Sequence, residues 1–155
     1  MFTGDSSGSW LYEALHRHGF ANQPFSTGRG DGLRLTDCYV TAAARCAPPA
    51  NRPTPVELDR CQEYLEQEIR ILTRVRIVVT LGRTGHERFL KASAGTRGSR
   101  RASGRRSGTV QSTLPDGRIV LCSTIRSRQN TNTGKLTLEM WHAIFARARE
   151  LVDRS

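Results

Sequence analysis

The sequence predicts an α/β domain with a mainly parallel sheet, and three observations predict it. Val75 to Leu81 (Val-Arg-Ile-Val-Val-Thr-Leu) is a near-continuous apolar run, as found inside parallel sheets. Two longer segments, 55–72 and 136–152, carry apolar residues at helical spacing. Strand-like and helix-like segments alternate, as they do where helices connect parallel strands. With 155 residues the chain is long enough for a single domain with one core.

Residues 2–9 are small and polar and read as a turn. Residues 10–19 read as a helix, with Trp10, Leu11, Ala14, Leu15 and His18 on one face and Gly19 as its stop. Ser7 or Ser9 is placed to cap it. Residues 20–34, with Pro24, Gly28, Gly30 and Gly32, read as loop. Leu35 to Ala44 reads as a strand. The prolines Pro48, Pro49, Pro53 and Pro55 stiffen the loop after it. Thr54 as N-cap, Pro55 at the first helical position and Glu57 three residues after the cap predict a helix to Leu72. Its stripe is Leu58, Cys61, Leu65, Ile69 and Leu72.

A short helix is expected near 86–91, after the strand 75–81 and Gly82. Residues 93–108 are low-complexity Gly/Ser/Arg, read as an insert or loop with no assigned structure. A turn over 114–117 precedes a strand over 118–122. Residues 123–134 read as polar loop. The last helix, 136–152, is capped by Thr137, with Met140, Ile144, Ala148 and Leu151 inward. Ligands of such sheets bind beyond the carboxyl ends of the strands, which points to 45–55, 82–86 and 123–134.

The net charge is +10 and favours a polyanionic partner such as nucleic acid. Five arginines in 93–108 (Arg97, Arg100, Arg101, Arg105, Arg106) supply half of it, so the rest of the chain is only modestly basic. No apolar signal segment and no run of membrane-spanning length is present, which fits a cytoplasmic bacterial monomer. Disulfides are not expected there. On spacing alone, Cys38, Cys46, Cys61 and Cys122 are either buried small side chains or metal ligands. Asp5 and Asp37 read as turn and strand-end residues. His16 and His18 fall on the first helix, and His86 is the one histidine near the predicted mouth.

Three segments carry a family resemblance. They are Phe2 to Leu11 (Phe-Thr-Gly-Asp-Ser-Ser-Gly-Ser-Trp-Leu), Thr36 to Pro55 with Cys61 following, and Ser127 to Thr137 (Ser-Arg-Gln-Asn-Thr-Asn-Thr-Gly-Lys-Leu-Thr). In this order, with the strand at 75–82 between them, they resemble the type-5, iron–sulfur uracil-DNA glycosylases. The resemblance covers 2–92 and 114–153. It implies a three-layer α/β/α sandwich with a mainly parallel sheet, and hydrolysis of the bond between uracil and deoxyribose in DNA. It also implies a first strand and a Gly-Leu-Ala-Pro-type loop ahead of Phe2, neither of which this sequence contains.

The resemblance assigns roles by position. Phe2 matches the residue that stacks on the extruded base, and Asn130 and Thr131 match residues that bind it. Ser127 and Asn130 are what remains of the catalytic motif. Its histidine position holds Ile125 and its proline position Arg126. Isoleucine has no donor for the charge that develops on the leaving uracil, so activity is expected to be impaired or lost. A one-base shift in reading frame turns codons for Tyr-His-Pro into Thr-Ile-Arg, the residues at 124–126. Cys46 and Cys61 match two of four ligands to a four-iron four-sulfur cluster, and with only two thiolates the chain is expected not to hold it stably. Arg45, Arg52, Arg126 and Arg128 are the candidate DNA contacts. Two other readings remain: a non-catalytic basic nucleic-acid binder derived from such an enzyme, and a non-functional fragment.

Overall fold

A computed structural model describes residues 6–45, 53–94, 104–106, 109–123 and 138–154. The chain divides into two compact units. One combines Met1–Thr41 with Ser127–Ser155, and the other is Ala42–Arg126.

In the first unit, α1 (Ser6–Arg17) packs against α4 (Leu138–Asp153). Leu11, Ala14 and Leu15 are buried as the helical spacing requires, and Tyr12 joins them. Trp10 stays half-exposed, and its carbonyl accepts a 3.2 Å hydrogen bond from the Trp141 indole. Because α1 begins at Ser6, Ser7 and Ser9 lie within the helix and are not its cap. Its end follows the sequence closely. Gly19 has φ +76, its N–H bonds to the His16 carbonyl at 3.1 Å, and the Phe20 N–H reaches back to Leu15 at 2.8 Å. This is the double closure that a left-handed glycine permits after a helix.

The buried face of α4 is Trp141, Ile144, Phe145 and Ala148. Met140 and Leu151, expected inside, are only partly buried. The reason is the two large rings, Trp141 and Phe145, which pack edge-to-face with centroids 5.1 Å apart and turn the helix toward themselves.

The loop after Gly19 is organised by polar side chains. The Asp31 carboxylate accepts from the backbone N–H groups of Thr27 (2.7 Å), Leu33 (3.0 Å) and Gly28 (3.3 Å). These donors hold its pKa down to about 2. The strand expected over 35–44 does not form. One isolated bridge, Ala21 to Leu35, is all the pairing found there among the described residues. Asp37 at φ 52 turns the backbone out of the extended form, and none of the described strands is its neighbour.

The second unit holds α2 (Pro55–Ile71), β1 (Ile77–Leu81), α3 (Gly82–Ala94), β2 (Gly104–Arg106), β3 (Thr109–Thr113) and β4 (Ile119–Ser123). The reciprocal cap of α2 forms as predicted. The Thr54 hydroxyl accepts from Glu57 N–H at 3.3 Å, and the Glu57 carboxylate accepts from Thr54 N–H at 2.7 Å. Thr54→Ala is expected to cost about 1 kcal/mol, read by urea denaturation of the variant against the parent. Leu58, Cys61 and Leu65 are buried on its inner face, joined by Gln62.

The strands run in the order β1-β4-β3-β2. β1 and β4 are parallel, while β4–β3 and β3–β2 are antiparallel. The α/β class therefore holds, and among the described residues the sheet is small and mixed and not mainly parallel. The difference comes from β3. Its sequence, Thr-Val-Gln-Ser-Thr, has no apolar alternation, and pairing with β4 through the 114–118 turn is what makes it a strand. β2 falls inside 93–108, where the sequence carried no structural signal.

In the described sheet β1, read from sequence as interior, is an edge, and β4 is the buried strand. Val120, Leu121 and Ser123 have no exposed surface. Val78 and Val120 are register partners and share a face. On that face Phe89, Leu114 and Val120 form a core, with Ile69 and Leu90 packed on it. α3 is longer than the short helix expected at 86–91, because it starts directly after β1. Gly82 at φ +76 makes that tight entry possible.

Candidate functional site

The carboxyl ends of the parallel pair lie side by side, with Leu81 the register partner of Ser123. One residue earlier, Thr80 is the partner of Cys122, and both are buried. The Thr80 hydroxyl lies 3.1 Å from His86 Nδ1, in α3. It also hydrogen-bonds the Cys122 thiol. One hydroxyl thus ties β1, β4 and α3 together at the end of the sheet where ligands of α/β proteins bind. Burial lowers the His86 pKa, so the ring is held neutral, and burial raises that of Cys122 against the effect of Thr80. Sequence reasoning placed His86 near the mouth but missed Thr80. Its only signal was a lone polar residue in an apolar strand.

Ser123 ends β4, and the segment predicted to carry the chemistry follows it in sequence. Ile125, Arg126, Ser127, Arg128, Asn130 and Thr131 lie outside the described residues, as do Phe2, Asp5, Cys46, Arg52 and Thr137.

Cys61 and Arg45 are described. Cys61 is buried in α2, and its sulfur accepts a 3.4 Å hydrogen bond from the backbone N–H of Arg45, the residue before Cys46. Such N–H···S bonds are found at thiolate ligands of iron–sulfur clusters. The Arg45 guanidinium is ion-paired with Glu68 and lies 5.1 Å from the centre of the half-exposed Tyr64 ring. To reach a phosphate it must exchange Glu68 for it.

The remaining thiols have other surroundings. Cys122 is bonded to Thr80 within the sheet, and burial pushes Cys38, in the first unit, up to about 11. Among the described residues no group of three or more His, Cys, Asp or Glu side chains is placed to hold a metal ion. Among them, too, no helix is long and apolar enough to cross a membrane. Asp37 pairs with Arg149 at 3.3 Å, a structural contact beside the Arg149–Phe20 stack.

The family model for the uracil DNA glycosylase superfamily matches residues 1–149. The chain belongs to the uracil-DNA glycosylase superfamily. Within it, the chain is 47% identical over 150 residues to a type-5 uracil-DNA glycosylase of Thermus thermophilus. That alignment covers 97% of this chain and 66% of the relative. A type-5 enzyme of Mycobacterium bovis is 41% identical over 97% of this chain and 56% of its own length. One from Pyrobaculum aerophilum is 37% identical over 96% and 62%. The chain thus spans between 56% and 66% of the length of these curated glycosylases. The superfamily match runs across both compact units.

Proposed function

We propose that this chain acts in DNA base-excision repair, hydrolysing the N-glycosidic bond between uracil and deoxyribose, at a rate reduced by Ile125. The observation that carries this reading is the similarity to type-5 uracil-DNA glycosylases over 97% of the chain. The geometry supports it. β4, the buried strand, ends at Ser123, four positions before Ser127 in sequence, and Thr80 and His86 meet at this carboxyl end of the parallel pair.

Chemically, the target bond is shielded inside the duplex, so the nucleotide must be extruded and its base held on an aromatic face. Phe2 is the residue proposed for that. As the bond breaks, negative charge collects on the uracil, and donors aimed at its oxygens lower the barrier. Asn130 is proposed as the remaining side-chain donor, with Ser127 the other remnant of the catalytic motif. Arg45, Arg52, Arg126 and Arg128 are proposed to contact phosphates, which position the duplex without reading its sequence.

The resemblance also implies a four-iron four-sulfur cluster. The donor set does not fit a complete site. Cys61, with its N–H···S bond, suits ligation beside Cys46, but burial raises the pKa of both Cys122 and Cys38 and so disfavours the thiolates that ligation needs. No step of the reaction proposed here runs through a cluster.

The test is single-turnover cleavage of a uracil-containing duplex, against the same duplex with thymine, together with binding to both at two salt concentrations. Slow cleavage confined to uracil is the expected result. Equal, steeply salt-dependent binding to both duplexes with no cleavage would show a basic DNA binder instead.

A further inference from the structure

We propose that Glu13, His142 and His18 form an acid-sensitive latch that holds α1 against α4. The three side chains make one line of contacts between the helices of the first unit. Glu13 Oε2 lies 3.3 Å from His142 Nε2, and His142 Nδ1 lies 3.3 Å from His18 Nε2. His18 then stacks on Phe145 of α4, with the rings 16° from parallel and centroids 6.4 Å apart. Phe145 is itself buried. The outer nitrogen of His142 is shielded from water and lacks a well-aligned hydrogen bond, so Glu13 is its only compensation among the described residues.

The contact between the two rings has room for one hydrogen. With both rings neutral, one nitrogen donates and the other accepts. With one added proton the pair still shares a single N–H between the facing nitrogens, and Glu13 offsets the charge. A second proton puts two N–H groups and two positive rings face to face, and the contact cannot survive it. The charged groups around His18 agree. On α1 these are Arg17 and Glu13, and on α4 His142. Burial first, then His142, then Arg17 lower its pKa from the ordinary 6.5, and only Glu13 opposes them.

The sign follows from linkage. His18 binds its proton less readily folded than unfolded. The stability it carries is therefore complete above 6.5 and is lost as pH falls from 6.5 toward the lowered folded value. Acid loosens α1 from α4. The second unit contains no part of this contact.

The test is amide hydrogen exchange, corrected for intrinsic rates, at about pH 7.5 and about pH 5. Protection in α1 and α4 is expected to fall by about threefold or more at the lower pH, relative to α2 in the other unit. His18→Gln keeps an N–H donor for His142 but does not titrate, and it should remove the fall. No fall in the parent, or an equal fall in H18Q, would overturn the latch. Proton NMR of the parent's ring hydrogens supplies a second reading that needs no variant. His18 should titrate below 6.5 and shift the His142 signal as it does so. Titration of His18 at or above 6.5, with His142 unmoved, would sink the idea.

Discussion

Single-turnover excision of uracil is expected to rise on the order of a hundred- to a thousandfold when Thr124, Ile125 and Arg126 are replaced by Tyr, His and Pro. The magnitude is that of one preorganised donor to a developing anion, and Ile125 supplies none. The flanking changes matter because proline limits the backbone of its own residue and of the one before it, and so helps aim the histidine. Measured on the same uracil-containing duplex, the restored chain and the parent should differ in rate and little in affinity, since the donor acts mainly in the transition state. Equal rates would mean that Ile125 is not the defect. A large loss of binding in the restored chain would mean that Arg126 contributes more as a phosphate contact than the histidine contributes as a donor.

Leu121→Ala is expected to destabilise the second unit by roughly 2–5 kcal/mol. Leu121 has no exposed surface, on a strand paired on both sides by β1 and β3. Its loss removes buried apolar area and leaves a cavity that two neighbouring strands prevent from closing. An exposed position on the same unit, Ile71→Ala, at 77% exposure, is the matched control and should change stability by less than about 0.5 kcal/mol. Chemical denaturation of both variants checks the pair. A small effect of L121A would mean that the face of β4 opposite Val120 is not tightly packed.

Part of the candidate site was named from the sequence. The residues after β4 stood out by resemblance, and Cys61 by its setting. Arg45 carried a clear charge signal, but its pairing with Glu68 and its place over Tyr64 depend on a helix that starts ten residues later. Thr80, His86 and Cys122 are separated by up to 42 positions, and only the parallel register of β1 with β4 brings the last to the first. Glu13, His18 and His142 are further apart still. Polar contacts of this kind leave no periodic trace, because each side chain faces its partner only after both helices have docked.

What the sequence determined by itself is local. Thr54, Pro55 and Glu57 set the start of α2, and Gly19 sets the end of α1, because caps depend on a few neighbouring backbone groups and one side chain. The apolar runs of β1 and β4, and the stripes of α1 and α2, were likewise readable from period alone. Tertiary structure decided which strands have neighbours. The polar Thr109–Thr113 became a strand because β4 offered it a ladder, while Leu35 to Ala44 did not, because no described strand lies beside it and Asp37 bends it away. A strand is completed only by a partner distant in sequence, whereas a helix closes its hydrogen bonds within four residues.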